Sequence, residues 1–183
     1  MPGVFAVRVQ YRSDRKRLRA QSILHPYPHV YIAAASSRPE GITTLDSAGL
    51  PGIASAPPPE FDGPGGSWSP ETLLCASVAS CFALSFRAIA RAAKLDWSEL
   101  DCRVEGVLER ADGVSQFTRY TTYARLRVPA GADAAKARRL LDKAEHACII
   151  SNSLRGPRIL VAEVVGGDQV EPATAILSSD RGP

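Results

Sequence analysis

Four residues of this chain have a type suited to covalent chemistry: Cys75, Cys81, Cys102 and Cys148. A thiolate is a nucleophile. Once oxidised it becomes a sulfenic acid, which a second thiol can capture as a disulfide before further oxidation becomes irreversible. None of the four forms a CxxC pair, and none stands at zinc-ligand spacing from His25, His29 or His146, so no metal and no cofactor is expected. Taken one at a time, each cysteine also reads as a small core residue. A reactive thiol in an apolar setting needs a cation beside it, because burial alone raises its pKa. Arg is the suitable type: it stays charged when buried, and its planar fork can hold a carboxylate while facing a sulfur.

The elements that must position these thiols are legible in the pattern. The segments HVYIAAAS, ITTLDSAG and LPGIASA read as three strands, the first two joined by an RPEG turn. The run PPPEFDGPGG (57–66) is a loop, since its Pro and Gly can continue neither a helix nor a ladder. It leads to a helix start: Ser69 as N-cap, Pro70 at the first helical position, Glu71 in the first turn. The helix is expected from about Pro70 to Lys94 and carries Cys75 and Cys81, about 120° apart around its axis. Leu73, Leu74, Val78, Phe82, Leu84, Phe86 and Ile89 cover most of its circumference. Such a helix must be buried on all sides, and a second copy of the chain could supply the missing cover, so an obligate homodimer is expected. Two long strands follow, alternating around Cys102 and joined at Asp112–Gly113, a hairpin signal. PAGADAAKARRLLDKAEHACII reads as a second helix with Cys148 at its buried C-terminal end and His146 exposed on another face. RILVAEVV is a last strand. Strands in groups rather than in strict alternation mean α+β.

The chain of 183 residues suits one domain. The expected boundaries are a basic extension over 1–25, the domain over 26–167 and a poorly ordered tail over 168–183. The net charge of +3 is concentrated in RSDRKRLR (12–19). This run reads as a solvated extension rather than a nucleic-acid site. No signal peptide is evident. The longest uncharged helical run, Thr72 to Phe86, is 15 residues, short of a membrane span. A cytoplasmic, reducing setting with free thiols is expected, without nucleic-acid or membrane partners.

Three pieces of the sequence carry a family resemblance. PPPEFDGPGGSWSPETLL resembles the Pro/Gly loop and Asn/Ser-Pro-Glu helix start of the OsmC/Ohr family of thiol-dependent hydroperoxide reductases. ASVASCF resembles that family's approach to its first cysteine, and EHACIISNSL its second-cysteine motif. The likeness spans roughly Tyr27 to Val165. It implies two entwined subunits, with antiparallel sheets around two central helices. It implies Cys81 as the peroxidatic thiol, Cys148 as the resolving one, and Glu71 as the carboxylate that orients an Arg. Arg38 falls where the Ohr branch has its catalytic Arg, with Arg87 and Arg155 as alternatives. The family often has Cys-Pro at the resolving position, where this chain has Cys148–Ile149. The implied substrate is an organic hydroperoxide and the implied reductant a dithiol of lipoyl or thioredoxin type. The alternative is a non-catalytic protein that holds a small hydrophobic ligand at the dimer interface. Glu71 and Cys81 lie ten positions apart, about 15 Å along one helix. Either the helix breaks between them or the site is shared across the dimer; the shared site is expected.

Overall fold

The computed structural model describes residues 27–166 and 169–178. The chain divides into two units, residues 1–32 and residues 33–183. In the first, the described residues begin at Tyr27, whose ring lies 4.7 Å from that of His29; the basic run 12–19 lies outside the described residues. The second unit holds the elements expected from sequence, together with others that were not.

Three short strands, β1 (Ala34–Ser36), β2 (Thr43–Asp46) and β3 (Ile53–Ser55), form an antiparallel sheet. The first expected strand shortens from HVYIAAAS to three residues. Ala34 already pairs with Asp46, the last residue of β2, so the residues before it have no ladder to join. Most of this sheet is exposed. The Pro/Gly loop then folds back tightly: a Cβ on Gly63 would lie 1.7 Å from the Pro57 carbonyl oxygen, so only glycine fits. The loop ends where the Ala56 N–H donates to the Trp68 carbonyl at 2.9 Å.

The first helix, α1 (Pro70–Ala92), begins as expected. The Ser69 hydroxyl accepts from Thr72 N, and Thr72 Oγ1 accepts in return from Ser69 N, a reciprocal cap that satisfies two donors of the first turn. The helix is continuous for 23 residues and by length and composition alone could cross a bilayer. Here its stripe of Val78, Phe82, Phe86 and Ala90 enters the core, as in the central helix of a globular fold. The expectation of burial on all sides is not met within one chain. Ser80, Leu84 and Ala88 are exposed on the opposite side.

A second sheet runs in the order β4 (Glu99–Ala111), β5 (Val114–Val128), β6 (Arg158–Gly166), β7 (Gln169–Ser178). The β4–β5 turn holds Asp112 and Gly113, both with positive φ (51° and 81°), as a two-residue hairpin turn requires. Two features correct the expectations. β5 and β6 run parallel rather than antiparallel, because the chain between them crosses over through α2 (Ala134–Ala147) and α3 (Ile149–Asn152). Residues expected as a tail form β7, which pairs antiparallel with β6. The core lies between this sheet and the helices, with Phe82, Phe86, Leu126, Leu141 and Leu160 fully buried.

Candidate active site

The break between α2 and α3 places the second cysteine. Cys148 leaves the helix with extended backbone (φ −69°, ψ 104°), the region that a following proline would favour. It adopts this conformation with Ile149 after it. The turn is held by side chains. Asn152 Nδ2 donates to the His146 carbonyl at 3.0 Å, and Arg158 Nη1 donates to Asn152 Oδ1 at 2.6 Å. Arg158 also stands 3.8 Å from Glu145 Oε1.

Cys148 is fully buried. Its Sγ accepts from Ser151 Oγ at 3.1 Å and lies 4.0 Å from the Val78 carbonyl of α1. Cys81, one turn beyond Val78, lies close enough to the same sulfur to act on its ionisation. Burial pushes the Cys148 thiol up, the Ser151 hydrogen bonds pull it down, and Cys81 raises it again. All four cysteines are free thiols.

Glu71 and Arg38 are not joined to this pair within the chain. Glu71 lies at the start of α1, and because α1 is unbroken the alternative of a helix break between Glu71 and Cys81 falls. Its Oε2 is buried without a hydrogen-bond partner among the described residues. Arg38 is exposed in the β1–β2 turn, and among the described residues it makes no ion pair with Glu71. Arg87 and Arg155 are exposed as well.

Cys75 and Cys102 face elsewhere. With Glu71, Val104, Leu108 and Phe117 they line a cavity of about 610 Å³ between α1 and β4. Gly106 makes room for Cys75: a Cβ there would lie 2.8 Å from the Phe117 ring and 3.1 Å from the Cys75 sulfur. Burial pushes the Cys75 thiol up. Cys102 is pushed up to about 12, first by burial and then by charge on Glu145 and Cys148. Both therefore stay protonated at neutral pH, in keeping with packing roles. His146 is exposed and bonds Asp142 on its own helix.

Four residues around Cys148 were not singled out from sequence: Glu145, Ser151, Asn152 and Arg158. Two carried a signal. Ser151 follows Cys148 at helical spacing inside the second-cysteine motif. Glu145 is a charge among the buried Ala137, Leu141 and Ala144, and only 1% of it is exposed. Burial pushes its carboxyl up, and Arg158 offsets this in part.

A family model described as OsmC-like protein matches residues 63–162, from the Pro/Gly loop into β6. The chain belongs to the OsmC-like family. It is 28% identical over 118 residues to the uncharacterized protein YmaD of Bacillus subtilis, an overlap covering 63% of this chain and 78% of that one. The fold is that of an OsmC-like protein of unknown function from Vibrio cholerae, with a TM-score of 0.66 at 16% identity over 75% of this chain and 99% of that one. It also resembles an organic hydroperoxide resistance protein OsmC from Legionella pneumophila, with a TM-score of 0.61 at 26% identity over 76% and 98% of the two chains. The OsmC-like α+β fold is thus common to chains of low identity, and the cysteine pair must be judged on its own geometry.

Proposed function

We propose that this OsmC-like protein reduces organic hydroperoxides by a two-cysteine cycle in a cytoplasmic, reducing setting. The observation that carries the reading is the meeting of Cys81 and Cys148. Two thiols on separate elements, far apart in sequence, lie near enough to influence each other's ionisation, Cys148 fully buried and Cys81 half-buried. The Cys81 thiolate attacks the peroxide oxygen, leaving a sulfenic acid and, with one proton, an alcohol. The Cys148 thiolate then attacks the Cys81 sulfur. Hydroxide leaves and takes a proton to become water, and a Cys81–Cys148 disulfide remains. A dithiol of lipoyl or thioredoxin type returns both thiols. The name of the Legionella relative, an organic hydroperoxide resistance protein, supports this reading.

The Arg that activates Cys81 is held, in this reading, by Glu71 of a second subunit. Three observations support a homodimer with a shared site: the orphaned Glu71 oxygen, the exposed Arg38 and the bare face of α1 around Leu84. A buried carboxylate oxygen without a partner is costly, and an Arg guanidinium would satisfy it in two-pronged fashion. Arg38 is the residue proposed for this.

A second reading has one observation in its favour. The cavity of about 610 Å³ is mostly apolar, yet neither Cys81 nor Cys148 lines it. A small hydrophobic ligand could occupy it without chemistry. Peroxide loss separates the two. With cumene hydroperoxide and a dithiol, the wild-type protein consumes peroxide and Cys81→Ser does not. Equal slow rates would leave only the ligand-binding reading.

A further inference from the structure

Ser151 is the polar side chain that touches the second thiol, and the cycle above gives it no part. It is 3% exposed, and its hydroxyl donates to Cys148 Sγ at 3.1 Å. It stands one helical turn after Cys148 in α3, a segment pinned by Asn152 and Arg158, so its hydroxyl is held toward the sulfur. On the other side of the sulfur lie Cys81 and the Val78 carbonyl, both on α1.

We propose that Ser151 is a positioning residue of the resolving step: its hydroxyl stabilises the Cys148 thiolate once Cys81 has been oxidised, and so times disulfide closure after peroxide reduction. The inference rests on the two-cysteine cycle proposed above. In the reduced protein Cys148 keeps its proton. It is fully buried, and ionisation of both thiols would set two negative charges side by side. The pair therefore carries at most one thiolate, and in the cycle proposed above that nucleophile is Cys81. Oxidation turns that thiolate into a neutral sulfenic acid. The like charge that opposed ionisation of Cys148 is gone, while the Ser151 hydrogen bond stays. A hydrogen bond to a charged acceptor is stronger than one to a neutral acceptor, so Ser151 favours the thiolate over the thiol. The other ionisable groups around Cys148 are Cys102 on β4, Glu145 and His146 on α2, and Arg158 on β6. Of these, Cys102 remains protonated, and Glu145 faces Arg158. None of them donates a hydrogen bond to the sulfur, so Ser151 is the group whose removal isolates the effect.

The test is a single-turnover experiment on the full-length reduced protein. One equivalent of cumene hydroperoxide is added, and samples are quenched in acid and alkylated. Mass spectrometry then counts Cys81 oxidation and Cys81–Cys148 disulfide over time, from pH 5 to 9. In Ser151→Ala the pH midpoint of disulfide closure should move up by about one unit or more, the size expected for losing a hydrogen bond to a charged group. Closure at neutral pH should slow by about three- to tenfold. This is less than the loss of thiolate alone would give, because a more basic thiolate is the better nucleophile. Sulfenic acid at Cys81 should accumulate in the interval. Closure with the wild-type midpoint overturns the proposal, whether its rate is unchanged or equally slowed at every pH, since the second pattern marks a purely structural role. Ser151→Gly, which lacks the same hydroxyl, serves if the alanine variant does not fold. Failure of the underlying cycle is seen separately: wild-type protein in which Cys81 is never oxidised, or no disulfide forms at any pH, overturns the two-cysteine reading itself.

Discussion

Leu84 offers the sharpest test of the shared site. It lies on α1 opposite the buried stripe of Phe82 and Phe86, and 56% of it is exposed in the single chain. Burying a whole leucine side chain stabilises by roughly 1.5–3 kcal/mol. Just over half of that, about 0.8–1.7 kcal/mol, is still to be gained when a partner covers it. A two-fold dimer contains the residue twice, so loss of both contacts costs about 1.6–3.4 kcal/mol, or roughly 15- to 300-fold in dissociation constant. Leu84→Asp goes further, because it asks the interface to desolvate two carboxylates. The variant chain should fold, since the position faces away from the core of its own chain. Sedimentation velocity across a concentration series gives the readout. Wild type should remain a dimer where Leu84→Asp is a monomer, with Leu84→Ala between them, and peroxidase activity should fall with the dimer. If Leu84→Asp assembles like wild type, the bare face of α1 is not the interface and the argument from its exposure is wrong.

Two further outcomes follow from the site. If the Arg that faces Cys81 is held by Glu71 of the other subunit, mixing Glu71→Gln with Cys81→Ser chains rebuilds one intact site in each heterodimer. Two slow variants then recover about a quarter of wild-type activity after random re-pairing of the two chains; a site within one chain recovers nothing. The second outcome concerns Glu145. Its folded-state pKa is raised, chiefly by burial and in spite of Arg158, so the folded state binds the proton more tightly than the unfolded chain does. Stability from this group is present in full below the ordinary glutamate range and is lost as pH rises through the raised value. Urea unfolding at a series of pH values should show Glu145→Gln flattening that part of the profile. An unchanged slope would mean that the buried carboxylate does not carry it.

Much of the fold was legible because local rules and tertiary packing agree. Ser69, Pro70 and the apolar run after them specify where α1 starts, and Asp112–Gly113 specifies the hairpin. The alternation through Cys102 and Tyr120 reads correctly as strands with one wet face. Two features depend on partners that local sequence does not name. The strand at Gln169–Ser178 needs the edge of β6 to pair with, and the parallel run of β5 and β6 is set by the crossover through α2. The first strand is shorter than its sequence suggests, because its residues suit a strand while its ladder partner stops at Asp46. At the site, the motifs pointed to Cys81 and Cys148, and the chain brings these two together. The surroundings of Cys148 were harder to foresee. Ser151, Asn152 and Arg158 are ordinary polar residues until the break after α2 turns them toward one another. The relation of Glu71 to an Arg was not legible as geometry, since one unbroken helix separates Glu71 from Cys81.

In the proposed function Cys81 and Cys148 are the two thiols of a redox cycle. Non-reducing peptide mapping after one equivalent of an organic hydroperoxide tests it most directly. A single Cys81–Cys148 disulfide is expected, with Cys75 and Cys102 still alkylatable as free thiols and full reversal on adding a dithiol. A protein whose Cys81 and Cys148 stay reduced while Cys75 or Cys102 is oxidised would contradict it.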